Sequence, residues 1–351
     1  MEITRGFPKG NITRSDYTNL LSSEYEEDAR RKLEQMCAIY DLNPVPGWKR
    51  AGFASISEAL TLSRGAVPTL EISGSPVQLT IPTYEGSGQC VHPSVVYIPA
   101  GFAGYTHWMA FTPYPNSSQG YENPSIVASN DGVAWAVPDG ITNPLEPAPT
   151  PPEHGNDVEL IYDGTQLIVF WGTASGVPET HFYRRTISSE LVVGDRVECT
   201  GILPVSPAII RESATDWKIW YLDSISLDMC YGSSQNGIDW TRERIIGKFG
   251  SYTPWHMQVL KIGENYIFLI AAYFTVGGSS GSTLLYHAFT SDPDIDPCFI
   301  PSVLLDVASG WTSRQIYRSC LVEINGNYKI YLSACATDGT WHIGVVDAAI
   351  S

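Results

Sequence analysis

The residues from 92 to 135, HPSVVYIPAGFAGYTHWMAFTPYPNSSQGYENPSIVASNDGVAW, set the pattern that the rest of the chain repeats. Three runs rich in β-branched and aromatic residues, at 94–98, 105–111 and 124–129, are separated by Gly, Pro, Asn and Ser. Runs of that length are too short for helices and suit strands buried on both faces, with the polar small residues as turns. A fourth strand fits after Trp135, which makes one antiparallel four-stranded sheet.

Weaker copies follow. SVVYIPAGFAGYTHWMAF is echoed by ELIYDGTQLIVFW, AIIRESATDWKIWYL, QVLKIGENYIFLIAAY and CLVEINGNYKIYLSA. Aligned on Ser94, Glu159, Ala208, Gln258 and Cys320, they recur at intervals of 65, 49, 50 and 62 residues. The second half recurs as well, since SNDGVAW (129–135) returns as SQNGIDW (234–240). A four-strand unit at this spacing is the mark of a propeller blade. The fold class expected is therefore all-β, a five-bladed β-propeller of four-stranded antiparallel blades with a short N-terminal helical leader. The competing arrangement is a β-sandwich, disfavoured because turn, strand pair and third strand recur in order.

The division expected is a leader over 1–50 and a propeller over 51–351, with blades starting near 92, 157, 206, 256 and 318. The fifth copy ends after its third strand, so a strand from 51–82 is expected to complete the last blade and hide its open edge. In the leader, Leu20, Leu21, Tyr25, Ala29, Leu33, Met36 and Ile39 recur at helical steps. That apolar face suits packing on the propeller or joining an assembly, and a homotrimer held partly through residues 1–50 is the expected state. The segment 141–156, ITNPLEPAPTPPEHGN, is a stiff proline-rich excursion above one face.

The chain has 17% charged and 11% aromatic residues, a turn-rich, well-buried β composition. A net charge of −16 argues against nucleic acid or an anionic membrane surface as partner. No apolar run is long enough to insert into a bilayer, and no secretory signal is evident near the start. The seven cysteines are scattered without a CxxC pair, which reads as free thiols in a chain folded in a reducing cytoplasm.

The residue two before each alignment point is polar in every copy: His92, Asp157, Ser206, His256 and Arg318. In a propeller these positions converge on the axis. Glu122 and Glu179 begin the third strands beside them, and Trp255 and Tyr317 precede two of them. Carboxylates, a guanidinium, imidazoles and flat rings together form the chemistry that holds a sugar, so all nine are candidate glycan-binding residues. The alternative is an axial channel whose polar groups only satisfy one another. His92, Asp157 and His256 are also candidate ligands for a metal ion in the channel, although no short ligand spacing marks them; no other cofactor is expected.

The elements HPSVVY, YTHWMAFTPYP and YENPSIVASNDGVAW resemble the first blade of five-bladed propellers of the arabinanase, xylosidase and fructosidase glycosidase clan. More narrowly, they are similar to propeller domains that recur in phage and prophage tail proteins and in some bacterial surface proteins. The clan resemblance implies an aspartate in the first blade, a second aspartate and a glutamate acid. His92 stands at the first of these positions, and the catalytic candidates that remain are Asp157 with Glu122 or Glu179. The tail resemblance implies a receptor-binding protein that recognises a host cell-surface polysaccharide without hydrolysing it. Such a protein is made in the host cytoplasm, is carried in the virion, and contacts other tail or baseplate proteins through its N-terminal region. The alternatives are a glycoside hydrolase of the clan, cytoplasmic or exported without a signal, and a structural baseplate component.

Overall fold

The computed structural model describes residues 69–175, 179–276, 279–280, 282–294 and 297–350. The leader 1–50, with its helix and any trimer contact, lies outside the described residues, as does most of 51–82. Five antiparallel sheets form the five blades of a propeller.

The first described strand, β1 (Leu70–Gln78), belongs to the last blade. Blade I comprises β2 (Cys90–Phe102), β3 (Tyr105–Pro113) and β4 (Ser125–Ser129). Blade II comprises β5 (His154–Tyr162), β6 (Leu167–Ala174), β7 (Glu179–Ile187) and β8 (Val197–Cys199). Blade III comprises β9 (Pro204–Ser213), β10 (Asp216–Asp223), β11 (Met229–Ser234) and β12 (Trp240–Gly247). Blade IV comprises β13 (Tyr252–Ile262), β14 (Asn265–Val276), β16 (Leu284–Thr290) and β17 (Cys298–Leu305), with the two-residue β15 (Ser279–Ser280) paired to β14. Blade V comprises β18 (Gln315–Ile324), β19 (Asn327–Cys335) and β20 (Trp341–Ile350), and β1 pairs antiparallel with β20 from Leu70↔Ile350 to Gln78↔Gly344. The ring is thereby closed by a strand from ahead of blade I, and β20 has no open edge.

Blade I departs from four full strands. Its fourth position is the single bridge Ala128↔Ala136. Pro138, Pro144, Pro147, Pro149, Pro151 and Pro152 follow within the connector, and each lacks the N–H a ladder needs.

Apolar side chains fill the wedges between blades. Trp108 and Trp171, on the second strands of blades I and II, pack with Val158, Leu160 and Ile187 in one wedge. Trp220 of blade III meets Phe268 of blade IV edge to face, 5.4 Å between centroids, in another. The repeated SxDG and SxNG turns are built alike. Asp131 Oδ1 accepts from the N–H groups of Val133 and Ala134, and Asn236 Oδ1 accepts from those of Ile238 and Asp239. Gly132 and Gly237 have φ of 72° and 67°, the left-handed region that favours glycine. At Gly132 a Cβ would also collide with the Tyr331 hydroxyl.

All five innermost strands are interrupted at one level. The pairing register shifts between Val91 and Ser94, Asn156 and Glu159, Val205 and Ala208, Pro254 and His256, and Ile316 and Ser319. Each shift leaves extra residues opposite a shorter stretch of the second strand, which is a β-bulge. The extra residues include His92, Asp157, Ser206 and Arg318, four of the five positions that the repeats single out, together with Trp255 and Tyr317; the fifth, His256, is where pairing resumes in blade IV. His92, Asp157 and Ser206 have φ of 59°, 47° and 50°, uncommon for residues with a side chain.

The closing strand supplies a direct test. Leu70 is 3% exposed and joins the wedge with Leu269, Leu321 and Val346, whereas Val77 is 61% exposed. Leu70→Ala should cost about 2–5 kcal/mol in denaturant unfolding, and Val77→Ala under about 0.5 kcal/mol.

Candidate active site on the propeller axis

The bulges aim side chains from four blades at one point. Asp157 Oδ1 lies 3.3 Å from His92 Nε2, 3.2 Å from His256 Nδ1 and 3.9 Å from the Arg318 guanidinium. All four residues are buried. Despite these distances, His92 Nε2, Asp157 Oδ1 and both ring nitrogens of His256 are buried without a hydrogen-bond partner. The other nitrogen of His92, Nδ1, is 2.9 Å from the Thr112 hydroxyl. That contact orients the ring with Nε2 turned toward Asp157.

Glu122 stands over this cluster between two imidazoles, 3.8 Å from His92 Nδ1 and 3.7 Å from His154 Nε2. Glu179 accepts a hydrogen bond from Asn156 Nδ2 at 3.0 Å, and its second oxygen is buried without a partner. Tyr317 stacks on His92 at 5.5 Å, meets His256 edge-on at 4.1 Å, and accepts a hydrogen bond from Trp255 Nε1 at 3.0 Å. Trp341 packs on Tyr317 at 5.0 Å and on Tyr114 at 5.4 Å, so aromatic rings wall one side of the site.

Burial and neighbouring charge divide the titratable groups. Burial pushes Asp157 upward, but His92, His256 and Arg318 outweigh it and hold the carboxyl below its usual range. Burial lowers His92 to about 3 and also lowers His256, so both rings are neutral at physiological pH. Glu122 is raised well above its ordinary value by burial, then by the charges of Asp157 and Glu179. Glu179 is raised to about 8 by burial and by Asp157. The site thus favours an ionised Asp157, uncharged rings on His92 and His256, and protonated carboxyls on Glu122 and Glu179.

Of the nine candidate residues, eight meet at or beside this point. Ser206 does not offer its hydroxyl, which accepts from the Met257 N–H at 3.0 Å and faces the Met257 carbonyl at 3.4 Å. Arg318 is fully buried, and its Nη2 donates to Glu159 at 2.6 Å and to the Pro207 carbonyl at 2.7 Å, so one end of it is structural. Sequence reasoning missed His154, Asn156, Thr112 and Trp341. The first two precede Asp157 in HGND, and that signal was legible in the sequence; Thr112 and Trp341 lie on other strands and carried none.

No family model matches the chain. It is 26% identical to the A type blood N-acetyl-alpha-D-galactosamine deacetylase of Flavonifractor plautii over 73% of this chain and 39% of that protein, so it spans about two fifths of that relative's length. The crystal structure of an N-acetylgalactosamine deacetylase from F. plautii, in complex with blood group B trisaccharide, superposes with a TM-score of 0.69 at 20% identity, covering 80% of this chain and 95% of that one. The xylan beta-1,4-xylosidase of Bacillus halodurans C-125 superposes with a TM-score of 0.57 at 12% identity, covering 77% and 54%.

These likenesses establish a five-bladed propeller of the kind found in arabinanase- and xylosidase-type glycosidases. They also correct the expectation of a non-hydrolysing phage-tail receptor binder: the matched proteins are carbohydrate-processing enzymes, and the phage-tail and viral assignment falls with it. Among the described residues no helix is long and apolar enough to cross a membrane.

The raised Glu179 has a measurable consequence. Its folded value of about 8 lies above the ordinary 4.5, so the folded state binds the proton more tightly. The resulting stabilisation is full below pH 4.5 and is lost as pH rises through about 8, at up to about 1.4 kcal/mol per pH unit. Glu179→Gln should flatten that decline in stability between pH 5 and 8, measured by denaturant unfolding across the range. The lowered His92 acts oppositely, removing stability as pH falls from 6.5 toward about 3, and that limb should persist in the variant.

Proposed function

We propose that this protein is a metal-dependent carbohydrate amidohydrolase that removes the acetyl group from an N-acetylated amino sugar. One observation carries the reading: His92 Nε2, Asp157 Oδ1 and His256 Nδ1 are buried, unpartnered and convergent. Ligand atoms of the three residues lie within 4.8 Å of one another. Two neutral imidazoles and one carboxylate are a fitting donor set for a divalent transition metal, and the Thr112 contact to His92 is the supporting hydrogen bond such ligands ordinarily have. A divalent ion held there would supply Lewis acidity toward an amide carbonyl and toward water.

The remaining steps fall to the chain's own groups. Glu122, whose hold on a proton burial strengthens, stands beside the cluster and is placed to deliver that proton to the departing nitrogen as the C–N bond breaks, and to take up in its place the proton that water gives up on bonding to the acetyl carbon. His154 fixes the far oxygen of Glu122 and offers a path for returning the proton. Tyr317 and Trp255, joined by a hydrogen bond, give a flat wall for the apolar face of a sugar ring. The name of the Flavonifractor relative supports the choice of bond, and an imidazole at the first-blade position disfavours glycoside hydrolysis, which the clan resemblance ties to a carboxylate there.

Glycoside hydrolysis is the second reading, favoured by one observation: Asp157 is held ionised while Glu179 is held protonated to about 8, the opposite states that an acid and a base need. Incubation with an oligosaccharide ending in N-acetylgalactosamine separates the two. Released acetate, abolished by a chelator and restored by a divalent ion, is the expected result. Release of free N-acetylgalactosamine insensitive to the chelator would replace the first reading with the second. Asp157→Asn and His256→Ala should remove metal binding by calorimetry, and Thr112→Val should weaken it about ten- to a hundredfold.

A further inference from the structure

Outside the axial site, a cleft of about 180 Å³ opens between blades I and II beneath the proline-rich connector. That is room for one small ring, being slightly larger than an apolar cavity of about 150 Å³ that takes benzene. Its rim carries His181 and Arg196, whose side chains are 42% and 47% exposed. Neither is loose. Arg196 lies over the Tyr183 ring at 4.6 Å and pairs with Glu146 at 2.8 Å, while His181 stacks on Tyr183 at 5.3 Å and pairs with Glu198 at 2.8 Å.

Asn123 also lines the cleft and is 1% exposed. Its Nδ2 is committed to the Tyr84 hydroxyl at 3.0 Å, which fixes the amide, and its Oδ1 is a buried acceptor without a partner. A buried acceptor of this kind calls for a donor. Charge points to a neutral one, because the two carboxylates lining the cleft, Glu146 and Glu153, are matched in number by the guanidiniums of Arg185 and Arg196, both paired with Glu146. Rigid flat groups with N–H edges, a buried acceptor and no surplus charge suit a polyhydroxylated ring better than an ion.

The cleft adjoins the axis. Asn123 follows Glu122 in the chain, and Gly155 lies between His154 and Asn156. A Cβ on Gly155 would stand 3.4 Å from both the Glu122 carbonyl and Trp171. The absence of a side chain there lets the 122–124 segment of blade I pack directly on β5 between the two sites.

We propose that this cleft is a saccharide subsite, holding the sugar unit next to the one bound on the axis and framed by Asn123, His181, Tyr183 and Arg196. The placement of the first unit rests on the proposed deacetylase reading; the cleft's preference for a neutral sugar does not.

The experiment compares methyl N-acetyl-α-galactosaminide with a trisaccharide ending in N-acetylgalactosamine, using full-length wild type and the rim variants His181→Ala and Arg196→Ala. Each variant should lower kcat/KM for the trisaccharide about five- to thirtyfold through KM, with the monosaccharide unchanged. Equal loss on both substrates, or loss on neither, overturns the subsite. If wild type releases no acetate from either, the deacetylase reading has failed, and titration calorimetry with the trisaccharide decides the subsite alone. Binding weakened by both variants upholds it; binding equal to wild type, or no binding by any of the three proteins, overturns it.

Discussion

A single buried ion pair ties the ring together. Arg318 of blade V reaches across the axis to Glu159 of blade II and to the Pro207 carbonyl of blade III. Glu159 in turn accepts from the Ser94 hydroxyl of blade I and from the Ile209 N–H of blade III. Four blades therefore meet at one guanidinium–carboxylate contact, both partners nearly free of solvent. Blade IV joins through Gln258, whose Oε1 accepts from the Leu321 N–H of blade V, and through the Ser206–Met257 contact with blade III. Propeller blades are held laterally by apolar wedges that can slide. A directional polar network at the centre fixes their rotation about the axis, and removing one charge from such a pair leaves the other uncompensated at a cost of about 3–5 kcal/mol.

The catalytic candidates sit directly on this network. The bulge that lets Arg318 turn inward on β18 has counterparts that turn His92, Asp157 and His256 inward on their own strands. Asp157 and Glu159 are two residues apart on β5, one facing the cluster and the other the strut, and Arg318 touches both. The geometry of the site is thus set by the same contact that closes the fold. His92, His256 and the Arg318 guanidinium together hold the Asp157 carboxyl below its usual range in a place where burial alone would raise it.

How far the chain could be read from its residues follows from the same bulges. The five blades were legible because turn, strand and strand recur, and because apolar runs of strand length leave few other arrangements. The convergence of His92, Asp157, His256 and Arg318 was legible for one reason: a polar residue inside an apolar repeat, in every copy, requires a place to go. The local backbone was not. An alternating pattern assigns His92 and Ser94 to the same face of β2, yet the register shift separates them, so His92 faces the site and Ser94 faces Glu159. Glu122 and Glu179 were placed beside the axis by their position at the third strands, whereas their protonation is a property of burial that no spacing encodes. Ser206 was legible as an axial position but not as a spent hydroxyl, because its partner Met257 lies on the next blade.

The phage-tail reading failed for a related reason. A short motif such as YENPSI reports on the scaffold around Glu122, and scaffolds are shared by proteins of unlike function. What separates a binder from an enzyme here is the state of the buried groups. A passive sugar site gains nothing from carboxyls that burial pushes toward their protonated form or from imidazoles pushed toward neutrality with ring nitrogens left unpartnered. Each such group costs stability when nothing occupies the site. Glu122, Glu179, His92 and His256 together represent a concentration of unfavourable burial within one axial funnel, and Arg318 offsets only the part that falls on Asp157 and Glu159. Such a cost is retained where the same groups lower a reaction barrier, because strained or desolvated groups stabilise a transition state that a relaxed site would not. On the proposed reading, His92, at the position where the clan resemblance implies a carboxylate, offers a neutral nitrogen in place of a second negative charge, so Asp157 is the one carboxylate among the three convergent groups.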